Sequence, residues 1–329
     1  MKSLRWLDDI FMYNAIGGRG CGKTDYPIIL ASKLWECFGC QTLWLRNKQN
    51  ELGDEGNYQS FLNDAHEHGW CPDQWTALES GVYTAPKDGE QVIIFKAINT
   101  FSGSRGSGHP RVLFCVFDEM IPEDGRYYPS PRMCVKGLMS LMETFTRGRD
   151  GAFLLVCSNY VTARNPYWVK LRIYNNPRYD VTVFRDKCVA IEVCKGYKRA
   201  NRKDSKLNRL KKAAGMMDYD DESSDPLIGL VDPVPKGAKS TGYVLVSNGI
   251  AYREKVRSGI SYWEELNGDI PNGNIVYSPN IAECTVGVQM LPKWLLRSMS
   301  EQMESNMLRF SNPNVMFAIL DMIYNGGAI

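Results

Sequence analysis

Short apolar runs of strand length alternate with helically spaced apolar residues through the first half of the chain. Ile10 to Ile16 (IFMYNAI) is the first run, and Ile28, Ile29, Leu30, Leu34 and Trp35 return after it at helical spacing. Gln41 to Arg46 (QTLWLR) reads as a second strand. Arg111 to Glu119 (RVLFCVFDE) and Ala152 to Cys157 (AFLLVC) are continuously apolar and predict buried strands. Gly81 to Ala85 and Gln91 to Ala97 alternate on either side of Pro86-Lys87-Asp88-Gly89, which predicts a β-hairpin insertion. Asn57 to His68 predicts a helix with Phe61, Leu62 and Ala65 on one side. Met133 to Phe145 predicts another, with Val135, Leu138, Met142 and Phe145 on one face. Val181 to Val193 reads as one or two strands closing this core. The whole pattern is that of an α/β domain.

The second half has its own pattern. Lys195 to Lys212 is strongly basic, Asp218 to Asp225 is acidic, and Pro226, Pro233 and Pro235 follow. This composition shift places a domain boundary within 195–240, giving domains at 1–194 and 241–329. The basic run is either a solvated helix and linker or an electrostatic footprint for nucleic-acid phosphates. Beyond it, Gly242 to Ser247, Gly249 to Val256 and Asn274 to Tyr277 predict strands. Leu295, Met299 and Met303 repeat at helical spacing after Pro292. A last helix is expected over Asn314 to Tyr324, with Val315, Ile319 and Met322 inward.

The chemistry lies at the tips of the predicted strands. Gly17 to Thr24 (GGRGCGKT) fits the G-x-x-x-x-G-K-[ST] phosphate loop, set between a strand and a helix as that motif requires. Backbone N–H groups of Gly17, Gly18, Arg19, Gly20, Cys21 and Gly22 are expected to curl around a polyphosphate, and the helix N-terminus adds partial positive charge. Lys23 is expected to reach the β and γ phosphates, and the Thr24 hydroxyl to hold Mg²⁺. Asp118 and Glu119 end a buried strand in the form of a Walker B motif. Asp118 joins the Mg²⁺ shell and Glu119 polarises the attacking water, a pair that favours ATP hydrolysis over binding alone.

Other candidates are less specific. Arg46 and Lys48 are phosphate or DNA contacts, or solvated loop charges. Arg105 sits within a glycine- and serine-rich loop, Phe101 to Pro110, of the kind that presents binding residues. Arg147 and Arg149 follow a helix C-terminus, where cations suit the helix dipole. Either is also a candidate arginine finger for a neighbouring subunit's γ-phosphate. Ser158-Asn159 ends another buried strand, making Asn159 a candidate γ-phosphate sensor or part of a turn.

Composition adds bounds. The 44% hydrophobic and 23% charged fractions are those of a globular protein with a sizeable core. A formal charge of +2 confines any nucleic-acid surface to a local patch. The opening MKSLRWLDD is too polar for a secretory signal, and no apolar run approaches a membrane span. Ten cysteines without a disulfide-framework spacing agree with a reducing cytoplasm. Cys37 and Cys40 are expected as half-buried thiols at a helix end, and His66 and His68 as surface residues.

Several pieces together resemble the DNA-packaging ATPases of small tailed phages, the phi-29-like relatives of terminase large subunits. They are I-G-G-R-G-C-G-K-T, V-F-D-E, L-M-E-T-F-T-R-G-R, C-S-N-Y-V-T-A-R-N-P-Y-W and, near the end, L-R-F-S-N before an apolar helix. The resemblance implies an ASCE-type P-loop ATPase core followed by an RNase H-like, nuclease-type domain. It implies a pentameric ring that uses ATP and Mg²⁺ to drive double-stranded DNA into a prohead. The ring would dock on the portal vertex through a packaging RNA, within the host cytoplasm and without a membrane partner. Arg147 matches the arginine finger acting in trans, Arg105 a basic residue reaching the neighbour's nucleotide, and Arg19 the arginine of the family's phosphate loop. The expected nuclease domain lacks its metal-binding acids, because its first strand reads V-L-V-S-N-G. Glu264, Glu265 and Asp269 are expected in a turn-like segment, and no cutting is expected. The rival readings are a P-loop kinase acting on a small acceptor and a nucleotide-gated assembly protein without motor activity.

Overall fold

The first strand sets the arrangement of the N-terminal unit. The computed structural model describes residues 9–17, 22–23, 25–48, 62–63, 65–73, 75–77, 82–85, 90–99, 109, 111–122, 127, 130–159, 165–175, 179–194 and 230–325. Strand β1 (Met12–Gly17) lies between β7 (Phe153–Asn159) and β9 (Val189–Cys194), parallel to both. On the far side of β7 runs β6 (Val112–Asp118), and beyond it β2 (Gln41–Arg46) and β5 (Glu90–Ala97), again all parallel. The edges are antiparallel: β3 (Thr76–Ala77) and β4 (Val82–Ala85) on one side, β8 (Val181–Phe184) on the other. The order is β3-β4-β5-β2-β6-β7-β1-β9-β8.

Central strands of a parallel sheet are covered on both faces, so their sequences are apolar throughout. In β6, Val112, Phe114, Cys115, Val116 and Phe117 are all buried. Helix α1 (Asp25–Phe38) follows β1, and α2 (Pro131–Thr146) joins β6 to β7. Ser130 caps α2 by accepting from the Met133 N–H at 3.2 Å, with Pro131 at the first position, where a missing N–H costs nothing. Val135, Leu138, Met142 and Phe145 are buried, the face expected from their spacing.

One sequence expectation changes here. The hairpin of β4 and β5 is not an insertion, because β5 pairs with β2 and belongs to the main sheet. Only the end of the expected Asn57 to His68 helix falls within the described residues. The basic and acidic runs of 195–225 lie outside them.

A second unit comprises residues 163–174 together with 225–329. The expected division at 195–240 treated the chain as two consecutive blocks, whereas 163–174 is grouped with the later residues. The reason is packing. Helix α3 (Pro166–Leu171) starts at Asn165, whose side chain accepts from the Trp168 N–H at 2.9 Å, and Tyr167 and Trp168 are fully buried. It packs on the last helix, α5 (Pro313–Asn325), which also contacts α4 (Lys293–Glu304). Val315, Ile319 and Met322 of α5 are buried as expected.

The sheet of this unit begins with a meander, β10 (Lys239–Ser247), β11 (Ile250–Arg257) and β12 (Ile260–Glu265). Asn248-Gly249 and Ser258-Gly259 make its turns with positive φ at both residues (54°, 75° and 52°, 79°), the conformation that matches strand twist in tight hairpins. Strands β13 (Ile275–Ser278) and β14 (Val288–Met290) add in parallel beside β10, and β15 (Leu308–Phe310) in parallel beside β12. The order is β14-β13-β10-β11-β12-β15. Glu264 and Glu265 therefore stand in a strand, not in the expected turn. Glu264 faces β11, where Arg253 and Lys255 hold its carboxylate at 2.6 and 2.8 Å. Among the described residues no helix is long and apolar enough to cross a membrane.

Trp168 has no exposed surface, so Trp168→Ala should remove about 3–5 kcal/mol of stability from the second unit. Lys170→Ala, breaking an exposed pair with Asp321, should cost at most about 1 kcal/mol. Urea unfolding followed by far-UV circular dichroism measures both.

Candidate active site

The carboxyl ends of β1, β2, β6 and β7 lie side by side, and Gly17, Arg46, Asp118 and Asn159 end those strands. Gly17 ends β1 and pairs in register with Asn159 at the end of β7. Gly22 has φ +81°, and no heavy atom lies within 4 Å of where a Cβ would stand, so the described part of the loop borders open space. Lys23 folds back over the loop, its Nζ donating to the Gly17 carbonyl at 2.7 Å. The Cys157 thiol of β7 donates to the Lys23 carbonyl at 3.0 Å, tying the loop to its neighbouring strand. Gly18, Arg19, Gly20, Cys21, Thr24 and Arg105 lie outside the described residues.

Asp118 is the last residue of β6 and is 4% exposed, which leaves its carboxyl almost no water. Glu119 follows with φ 55°, a left-handed conformation costing a residue with a side chain about 1 kcal/mol. Three contacts hold this turn. The Asn47 side chain donates to the Glu119 carbonyl at 2.5 Å. The Met120 N–H reaches the Cys157 carbonyl at 3.3 Å, and the Ile121 N–H the Ser158 hydroxyl at 3.2 Å. The tips of β2 and β7 thus clamp the Walker B turn from both sides.

Arg46 sits at the centre. Its guanidinium holds the Asp118 carboxylate at 2.7 Å and the Glu119 carboxylate at 2.5 Å. Its sequence position offered a phosphate or DNA contact or a solvated charge; the structure gives it two acidic partners instead. Burial raises the Asp118 carboxyl to about 6, outweighing the pull of Arg46, while the Glu119 charge adds to the rise. A buried carboxylate so incompletely compensated is the kind of oxygen ligand a hard divalent cation takes. Asp118 fits an Mg²⁺ shell on that ground.

Arg147 and Arg149 part company. Arg147 caps α2 with φ 51° and an exposed side chain. Arg149 turns inward, its Nη2 donating to the carbonyls of Val112 at 2.8 Å, Phe145 at 2.9 Å and His109 at 3.2 Å. Both lie before β7 begins, at the edge of the sheet opposite Gly17 and Asn159. Cys37 is exposed rather than half-buried, and Cys40 is half-buried as expected. His66 is half-buried, with its Nε2 3.1 Å from the Pro72 carbonyl, and exposed His68 stacks on Trp70.

Asn47, Cys157 and Ser158 were not singled out from the sequence as supports of the site. Their only signal was position, at the carboxyl tips of strands flanking the Walker B strand.

Residues 6–245 match the family model for the podovirus DNA encapsidation protein (Gp16). The chain belongs to that family. A DNA packaging protein of Bacillus phage phi29 is 22% identical over 307 residues, covering 90% of this chain and 88% of the relative. One from Bacillus phage B103 is 29% identical over 160 residues, 47% of this chain and 46% of that protein. The solved Phi-28 gp11 DNA packaging motor superposes with TM-score 0.69 at 17% identity, covering 98% of this chain and 96% of the other. The bacteriophage Phi-29 genome packaging motor assembly gives TM-score 0.64 at 20% identity, with 96% of each chain covered. At these identities the structural likeness establishes the mixed α/β fold. Membership of the Gp16 family makes packaging of phage DNA the chain's function.

The pH dependence of the nucleotide-free Gp16 relative follows from Asp118. Its carboxyl is raised from 3.8 to about 6 on folding. Its contribution to stability is therefore full below the ordinary value and is lost as pH rises through about 6. Asp118→Asn should remove that slope, leaving the variant at least as stable as the parent at about pH 7.5 and losing this advantage towards about pH 4.5. Thermal melts across that range read the difference. A parent that gains on the variant as pH rises would show Arg46 outweighing burial.

Proposed function

We propose that the chain is the ATP-hydrolysing subunit of a ring motor that translocates double-stranded DNA into a prohead. The observation that carries this reading is the placement of the two halves of a hydrolytic site on opposite edges of one sheet. Lys23, Asp118 and Glu119 stand at the carboxyl ends of the strands. Arg147 stands before the amino end of β7, a strand of seven residues. At ~3.3 Å per residue that is about 20 Å away, beyond the reach of an arginine side chain. If Arg147 serves a nucleotide, it serves a neighbour's.

ATP with Mg²⁺, when bound, supplies the phosphoryl group and the charge that polarises it. The phosphate loop and Lys23 bind and orient the phosphates, with Thr24 and Asp118 as the residues that would hold the cation. Glu119 orients the attacking water and takes its proton. For that it must release Arg46, so the Arg46 pair keeps the Glu119 carboxylate in an ion pair until the site is loaded. Asn159, level with Gly17, is placed to sense the γ-phosphate. A neighbouring subunit's Arg147 stabilises transition-state charge, a role worth about 10³–10⁵ in rate where it has been measured.

The finer architecture belongs to the same proposal. The insertion of β7 between the phosphate-loop strand and the Walker B strand supports an ASCE-type core. In the second unit a meander β10-β11-β12, extended in parallel by β13 and β14 beside β10, supports an RNase H-like fold. We read it as lacking nuclease activity. Val244 to Ser247 carries no carboxylate, Glu254 is held by the hydroxyls of Thr241 and Ser261, and Glu264 by Arg253 and Lys255. A pentameric ring docked on the portal vertex through a packaging RNA in the host cytoplasm completes the reading. DNA held by phosphate contacts should bind with strong salt dependence and little base preference.

Mixed assemblies test it. Glu119→Gln and Arg147→Ala subunits should each bind ATP and be inactive alone. Mixed, they should recover DNA-stimulated turnover at interfaces pairing an intact Glu119 with a neighbour's intact Arg147. Co-assembly without recovery would overturn the shared site, and DNA-independent turnover by monomers would favour a kinase.

A further inference from the structure

Arg149 is not a spare copy of the neighbouring arginine. Its one terminal nitrogen, Nη2, meets three backbone carbonyls from three separate segments. Phe145 belongs to the last turn of α2, two residues before Arg147. Val112 opens β6, the Walker B strand. His109 closes the segment that carries Arg105, and its ring lies over Phe145 with centroids 5.0 Å apart and planes 10° from parallel. The Val112 N–H also returns to the His109 carbonyl at 3.2 Å.

The turn that this arginine closes would otherwise have little to define it. Arg147 and Gly148 both have positive φ, 51° and 63°, and the Arg147 side chain is exposed. Its backbone is held on one side by its own N–H, bonded to the Glu143 carbonyl at 2.9 Å. On the other side, the Arg149 N–H bonds the Thr146 carbonyl at 3.1 Å and the Ala152 N–H the Arg149 carbonyl at 3.2 Å. The Arg149 side chain ties this turn to the start of β6 and, together with the His109–Phe145 ring stack, to His109. One guanidinium nitrogen, part-buried where three segments meet, gathers a carbonyl from each of them.

We propose that Arg149 is a positioning residue for the site in trans: it locks the α2 C-terminal turn onto the start of the Walker B strand, so that Arg147 is presented to the neighbouring subunit in one orientation. This rests on the reading of Arg147 as the trans-acting arginine. The arrangement also links the two halves of the motor's chemistry, because the strand that carries Asp118 at its far end is the strand Arg149 grips at its start.

The test is a double-mutant cycle on full-length assemblies, with turnover of radiolabelled ATP and thermal melting measured for each protein. Arg149→Met, which keeps the side chain's bulk and removes the donors, should lower kcat by about 100-fold, the scale of loss for a misplaced catalytic group, with KM for ATP and nucleotide binding nearly unchanged. In an Arg147→Ala background the same substitution should leave the residual turnover, read by the radiolabel, unchanged, because the group it positions is gone. His109→Leu, which removes the ring stack from the loop side, should give a smaller loss that is likewise silent in that background, and it serves if Arg149→Met fails to assemble. Additive losses in the two backgrounds would overturn the proposal and leave Arg149 as a fold-stabilising residue. Full turnover by Arg147→Ala alone would instead remove the trans reading beneath it, a distinct result.

Discussion

A carboxylate stands at the end of a strand that must be dry to fold. Asp118 ends β6, whose other residues except half-buried Leu113 are buried, and its own burial pushes its carboxyl up to about 6. Everything around it answers that conflict. Arg46 brings a positive charge from β2, and Asn47 fixes the strained backbone of Glu119. Cys157 and Ser158 hold the residues that follow. The turn is kept in place while its charge stays incompletely paired. A site built for a cation and a polyphosphate has that character, since full compensation by side chains would leave the ligand nothing to add.

The same pair explains how a resting site can be both assembled and idle. Glu119 is in position with respect to the backbone but committed to Arg46 through its side chain. Under the proposed function, activation would exchange one ionic partner for another without rebuilding the turn. The opposite edge of the sheet is organised on a different principle, with neutral carbonyls gathered on one guanidinium. One edge holds charge in readiness, and the other fixes geometry.

What the sequence made legible was local. The phosphate loop, V-F-D-E and the helix face of Val135, Leu138, Met142 and Phe145 are patterns of near neighbours; V-F-D-E ends β6 and the helix face is buried as expected, while most of the phosphate loop lies outside the described residues. The Arg46 pair was not legible, because residues 72 positions apart meet only through the order of β2 and β6 in the sheet. For the same reason the β4–β5 hairpin looked like an insertion: alternation reveals a strand but not its second partner. Glu264 and Glu265 were expected in a turn, because the Arg253 and Lys255 that hold Glu264 from β11 are invisible to a local pattern. Local pattern left Arg147 and Arg149 as equal candidates, with the family resemblance favouring Arg147, and the carbonyls gathered on Arg149 separate their surroundings.

The dispersal of the second unit along the chain has a consequence for how the protein is made. Helix α3 leaves the ribosome before β8 and β9, yet its Tyr167 and Trp168 are buried in a unit completed only by α5 at 313–325. The first sheet can close as soon as β9 emerges. Until the last helix is synthesised, two large aromatic side chains between β7 and β8 lack one of the elements their helix packs on. The interval between those events is where a chaperone would find this nascent chain. Dividing the gene at the basic linker would extend that interval indefinitely, leaving the first fragment with an unmet apolar surface and the second without the helix that fills its core.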